Sequence, residues 1–129
     1  MPDAISLDPL SEFGRVVIVK LRDRGIDHLD KLLAGKAKAP AFRKLQGELK
    51  SLDQEQRALL RRAFVTSLDS ALHDFLFALQ EQNDSGGRVA VLVDGSRIAE
   101  ASDGLHGELF TEDGWFARCS RHGEPPEEA

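Results

Sequence analysis

The sequence predicts an α+β fold, with four N-terminal helices, one of them long and central, followed by a small three-stranded antiparallel sheet. Two observations carry this expectation. Apolar residues recur at helical spacing as far as Gln82, and after "NDSGG" (residues 83–87) the period drops to two. Asp94-Gly95 then stands between two alternating runs, and this dipeptide suits a two-residue type I′ hairpin turn. Helices first and strands afterwards give a helical layer with a sheet packed on it.

The first helix starts at Asp8-Pro9. The Asp side chain can accept a hydrogen bond from an unpaired N–H, and Pro loses nothing at the first helical position. Leu10, Phe13, Val17 and Leu21 follow at helical spacing, although "VVIV" (residues 16–19) could also be a strand, and Gly25 is the expected end. A short helix from Asp27 to Ala34 turns Leu29, Leu32 and Leu33 inward and stops at Gly35. After the linker "GKAKAP", a third helix puts Phe42, Leu45 and Leu49 on one face.

Asp53 caps the fourth and strongest helix, where Leu60, Phe64, Leu68, Ala71, Leu72, Phe75 and Leu79 fall in a sector of about 120°. Leu59, Ala63 and Phe77 gather on another side, so this helix should be covered by neighbours on both. A bend is expected at "TSLDS" (residues 66–70). In the hairpin, pairing Val93 with Ser96 sets Val91 opposite Ile98 and turns Val89, Val91, Val93 and Ile98 toward the helices. "WFARCS" (residues 115–120) reads as the third strand, with Trp115, Ala117 and Cys119 on one face and Phe116, Arg118 and Ser120 on the other.

A chain of 129 residues at 41% hydrophobic fits one domain over residues 1–122, with 8–82 helical, 88–120 hairpin plus third strand, and 123–129 a flexible acidic tail. The start of the chain lacks the basic and apolar stretches of a targeting segment, and its longest aliphatic run is too short to span a bilayer, so a soluble, cytoplasmic protein with no membrane association is expected. A single cysteine excludes an internal disulfide and fits a reducing compartment. Charge is uneven. Residues 1–65 hold 13 Lys/Arg against 9 Asp/Glu, and residues 66–129 hold 4 against 13.

Four groups of residues could carry chemistry. His73-Asp74, with His28 upstream and Asp103 downstream, resembles in residue type the H…HD…D pattern of HD-domain phosphohydrolases. That all-helical family implies a metal-dependent hydrolase with His28, His73, Asp74 and Asp103 as ligands, and this is the alternative reading. The structural reading is His73 stacked on Phe77, with Asp69 as a charge partner one turn earlier. In "SDGLHGELFTEDG" (residues 102–114), His106 and Glu108 with Asp103, Glu112 or Asp113 could offer metal ligands, but the segment has neither a zinc knuckle nor the D-x-[DN]-x-[DN]-G pattern of a calcium loop. Cys119 could be a nucleophile with His106 or His122 as base, yet its place beside Trp115 favours a core thiol. The basic residues Lys31, Lys36, Lys38, Arg43, Lys44, Lys50, Arg57, Arg61 and Arg62 could contact nucleic acid, but Phe42 and Phe64 sit at core positions where no base could stack, so a solvated face is expected.

No cofactor is implied. The preferred reading is a small non-catalytic protein, monomer or homodimer, that binds another, basic protein through an acidic and aromatic C-terminal surface made of Asp103, His106, Glu108, Glu112, Asp113 and Phe116. In size, charge and architecture such a chain is similar to the immunity proteins that neutralise basic toxin domains, and a regulatory role fits equally.

Overall fold

The computed structural model describes residues 7–110 and 112–125. Helix α1 (Pro9–Val16) starts as expected, with Ser11 N donating to Asp8 Oδ1 at 2.9 Å. It does not end at Gly25. A π-helical segment, Val17–Arg22, carries the chain without a break into α2 (Asp23–Ala34), which stops at Gly35 with φ of 70°. Gly25 is retained inside the helix because it faces α4: a Cβ there would stand 3.3 Å from Leu68 Cδ2. The π segment changes which residues face inward, since its wider turn resets the face by one position. Ile18, Arg22, Asp23 and Ile26 are buried, while Leu21, expected inside, is 51% exposed.

A 3₁₀ turn (Pro40–Phe42) leads into α3 (Arg43–Leu49), which is tied to the preceding linker by Gln46, whose amide bonds both Ala37 N and Ala37 O. Leu45, expected on the inner face, is exposed. Helix α4 (Gln54–Asp84) opens with a full capping box between Asp53 and Gln56. It runs unbroken through "TSLDS", a length of about 46 Å at 1.5 Å per residue.

The buried face of α4 is not the stripe that the apolar spacing predicts. Val65, Asp69, Leu72, Leu76, Leu79 and Gln80 are buried, whereas Leu60, Phe64 and Leu68 are only partly covered, and Ala71 and Phe75 are exposed. Two polar residues anchor this face. Asp69 accepts both bonds of the Arg22 guanidinium, at 2.6 and 3.0 Å. Gln80 accepts from Leu105 N at 2.9 Å and donates to Ala99 O at 3.1 Å.

Strands β1 (Leu92–Val93) and β2 (Ser96–Arg97) pair antiparallel in the expected register, Val93 with Ser96, and Ile98 N donates to Val91 O at 3.2 Å. Asp94 and Gly95 have φ of 51° and 83°, the two positive values of a type I′ turn. Val91, Val93 and Ile98 pack on the helices as expected, but Val89 is exposed. Two 3₁₀ helices follow, Ile98–Ala101 and Leu105–Leu109.

The third strand is not formed. Trp115–Cys119 is a short helix, α5, and the described sheet has two strands. Gly114 explains the geometry: a Cβ there would collide with the carbonyl of Phe110, so only glycine lets the chain cross this loop and turn into a helix. The core gathers Ile18, Leu72, Leu76, Leu79, Ile98, Leu105, Leu109, Trp115 and Phe116. The architecture is therefore mainly helical with a small antiparallel hairpin, a coarse α+β arrangement without the larger sheet. No helix among the described residues is long and apolar enough to cross a membrane.

Candidate protein-binding surface

The surface is built where α4 meets the 3₁₀ helix Leu105–Leu109. Leu105 and Leu109 are buried and Gln80 holds the Leu105 amide, so the turn between them is anchored against α4 with Gly107 exposed and His106 and Glu108 half-buried. His106 packs edge-on between two side chains of α4, 5.2 Å from the His73 ring and 5.0 Å from that of Phe77. The expected stacking of His73 on Phe77 is thus replaced by stacking of both on His106, and Asp69, expected beside His73, is taken by Arg22. Phe110 closes the cluster, 6.3 Å from His73 and 5.6 Å from Phe116.

Of the six residues assigned to the acidic and aromatic surface, Asp103, Glu112 and Asp113 are exposed. Glu108 is half-buried and accepts a 2.6 Å bond from Ser102 Oγ. His106 is half-buried in the aromatic cluster. Phe116 does not belong to the surface: it is fully buried, with the Arg22 guanidinium 4.3 Å from its ring centre. Trp115, beside it, is also fully buried. The exposed aromatics of this cluster are instead Phe110 (45%) and Phe77 (44%), and Phe110 was not singled out because it lies in a polar turn with no period to place it.

Between α4 and Phe110 lies an open groove of about 310 Å³, lined by Thr66, Ser70, His73, Asp74, Phe110 and Pro125. His73 Nδ1 is 3.2 Å from Asp74 Oδ1, and the Asp74 carboxylate is 85% exposed. The groove offers an exposed carboxylate, two hydroxyls and an aromatic wall, which together suit a long cationic side chain.

The metal quartet does not assemble. His28 sits on α2, its ring 4.8 Å from that of Phe42, and among the described residues no three His, Cys, Asp or Glu side chains are grouped to hold a metal ion. Two of the nine basic residues are taken up in local bonds, and the other seven are exposed, as a solvated face requires. Arg61 pairs with Asp30 at 2.8 Å, and Arg57 donates to the carbonyls of Leu33, Leu49 and Leu52.

A second polar cluster, absent from the sequence reading, ties residues 120–123 to α2 and the π segment before it. Arg22 Nη1 donates to Ser120 Oγ at 2.9 Å and to Gly123 O at 2.7 Å, and Asp23 accepts from Ser120 Oγ and Arg121 N. Asp27 bonds His122 at 2.8 Å and pairs with Arg121. Gly123, expected at the start of a flexible tail, is thus held, and residues 126–129 lie outside the described part. No sequence signal singles out Arg22 and Asp23, because Lys20, Arg24 and Asp27 stand beside them in the same charged helical stretch.

Cys119 is half-buried against the core, and burial pushes its thiol above the ordinary cysteine value, outweighing the opposing charges of Arg118 and Arg15. Alkylation by iodoacetamide at pH 7.5, followed by mass spectrometry, should be about tenfold slower or more in the folded protein than in urea, because only the thiolate reacts. Equal rates would show a reactive thiol.

Comparison with known protein families, with curated proteins and with solved structures finds no match.

Proposed function

We propose that the chain is a small non-catalytic binding protein whose acidic and aromatic surface captures a basic protein. In this reading a Lys or Arg of the partner enters the groove between Asp74 and Phe110, and Asp103, Glu112 and Asp113 form a polar rim. The supporting observation is the groove itself, which is lined by both an exposed carboxylate and a half-exposed aromatic ring. Its chemistry fits a toxin-neutralising, immunity-like role or a regulatory one, both of which need a small protein that masks a basic surface.

Capture of partners from cell lysate at low and high salt tests this. Phe110→Ala with Asp74→Asn should reduce retention about thirtyfold, as expected for removal of a central anchor, and the Glu112/Asp113 double neutralisation should mainly weaken the salt dependence. If no protein is retained at low salt, or if retention ignores both sets of changes, the reading fails.

A further inference from the structure

We infer that the side chain received by the groove is an arginine of the partner, and that the groove selects it over lysine. The inference rests on the binding surface proposed above and names the residue that enters it.

The protein already holds one guanidinium with three kinds of group that the groove repeats. Arg22 is bound by a carboxylate of α4, Asp69, at 2.6 and 3.0 Å, by the hydroxyl of Ser120 at 2.9 Å, and by the ring of Phe116, whose centre lies 4.3 Å from the guanidinium carbon. The groove holds a second such set. Asp74 supplies the carboxylate, Ser70 and Thr66 the hydroxyls, and Phe110 the ring, which meets the Phe116 ring edge-on at 5.6 Å. Asp69 lines the groove as well, but Arg22 takes both of its oxygens, so Asp74 is the carboxylate left for a guest.

Placement on α4 brings these groups to one side. Thr66, Ser70 and Asp74 follow at i, i+4 and i+8, one helix face with a rise of about 6 Å per step. The hydroxyls are not spent on the helix itself. Ser85 Oγ turns back to donate to Glu81 O at 2.7 Å, whereas neither Thr66 nor Ser70 makes such a bond among the described residues. His73 Nδ1 stands 3.2 Å from Asp74 Oδ1, which leaves Oδ2 and a second lone pair of Oδ1 for a forked donor.

A guanidinium uses this set more fully than an ammonium does. It is planar and weakly hydrated, so it can lie on Phe110 while donating two parallel bonds to Asp74 and another to Ser70. An ammonium is a compact, strongly hydrated charge without that fork, and it must shed water to cover the ring.

Titration of the nitrogen-15-labelled full chain with acetyl-Ala-Arg-Ala-amide and with its Lys counterpart, followed by NMR, tests the selection. The Arg peptide should bind about fivefold more tightly or better, with shifts centred on the amides of Ser70, Asp74 and Phe110. Asp74→Asn, a change at an exposed side chain that spares the fold, should lower its affinity to that of the Lys peptide. A peptide carrying asymmetrically dimethylated Arg, which keeps the charge and loses the fork, should fall to the same level. Equal affinities for Arg and Lys, both reduced by Asp74→Asn, would overturn the selection while the groove stands as a binder of cations. Shifts from neither peptide at these amides, or an Arg preference that survives Asp74→Asn, would overturn the groove as its seat.

Discussion

Asp69→Ala is expected to destabilise the fold by about 3–5 kcal/mol, the cost of removing one partner from a buried ion pair. Arg22 is 1% exposed and its charge has nowhere to go. The carboxylate supplies two of its bonds, at 2.6 and 3.0 Å, and the remaining partners, Ser120 Oγ and Gly123 O, are neutral. The Phe116 ring beneath the guanidinium is a weaker substitute for water than a carboxylate. Asp69→Asn keeps the shape and one acceptor, so its loss should be smaller. The double change Arg22→Met with Asp69→Leu should recover most of the stability, because it removes both desolvated charges together and fills the space. Urea unfolding gives the three values. A double-mutant cycle with no coupling would mean that the pair contributes nothing beyond its separate contacts.

This pair also explains why the buried face of α4 was illegible. An apolar stripe argument places Phe64, Leu68 and Phe75 inside, because it treats every charged residue as a surface residue. Asp69 and Gln80 lie inside, and each is satisfied by a group remote in sequence: Asp69 by Arg22, Gln80 by the backbone at Ala99 and Leu105. Nothing local in "TSLDSALHDFLFALQ" announces those partners. The π-helical segment hid in the same way. One extra residue per turn has no signature in "VIVKLR", yet it decides that Arg22 rather than Leu21 faces the core.

Local rules succeeded where a single residue has a single geometric duty. Asp8-Pro9 starts a helix, Asp53 caps one, Gly35 ends one and Asp94-Gly95 turns a hairpin, each by a bond or a dihedral that the neighbouring few residues determine. "WFARCS" failed because five or six residues are too few to separate a period of two from one turn of helix. Trp115 and Phe116 are both fully buried although adjacent, a pattern that no strand with one wet face allows. For the candidate surface the consequence is a change of aromatic anchor. The acids Asp103, Glu112 and Asp113 are exposed as expected, but burial removes Phe116 and puts Phe110 in its place.

The Trp115 packing yields the second large effect, one in which two simple rules give opposite signs. Gly14 lies inside α1, and by helix propensity Gly14→Ala should stabilise by about 0.5–1 kcal/mol. A Cβ there, however, would stand 2.6 Å from Trp115 Cδ2 and closer still to Cε2 and Nε1, far inside van der Waals contact. The indole cannot retreat. It is 0% exposed, Phe13 meets it edge-on at 6.0 Å, and the rest of the core cluster stands behind it. Overpacking of this kind costs about 1–3 kcal/mol, occasionally more, and the rigidity of the ring puts this case at the upper end, so the net change should be destabilising. Trp115 is the chain's only tryptophan, so its fluorescence reports the packing directly. Gly14→Ala should shift the emission to longer wavelength and lower the urea midpoint. Adding Trp115→Phe, which shortens the ring system facing position 14, should restore part of the loss, read by circular dichroism. If Gly14→Ala alone proves stabilising, α1 and α5 are not pressed together as described, and the close approach that places α5 against the core is wrong.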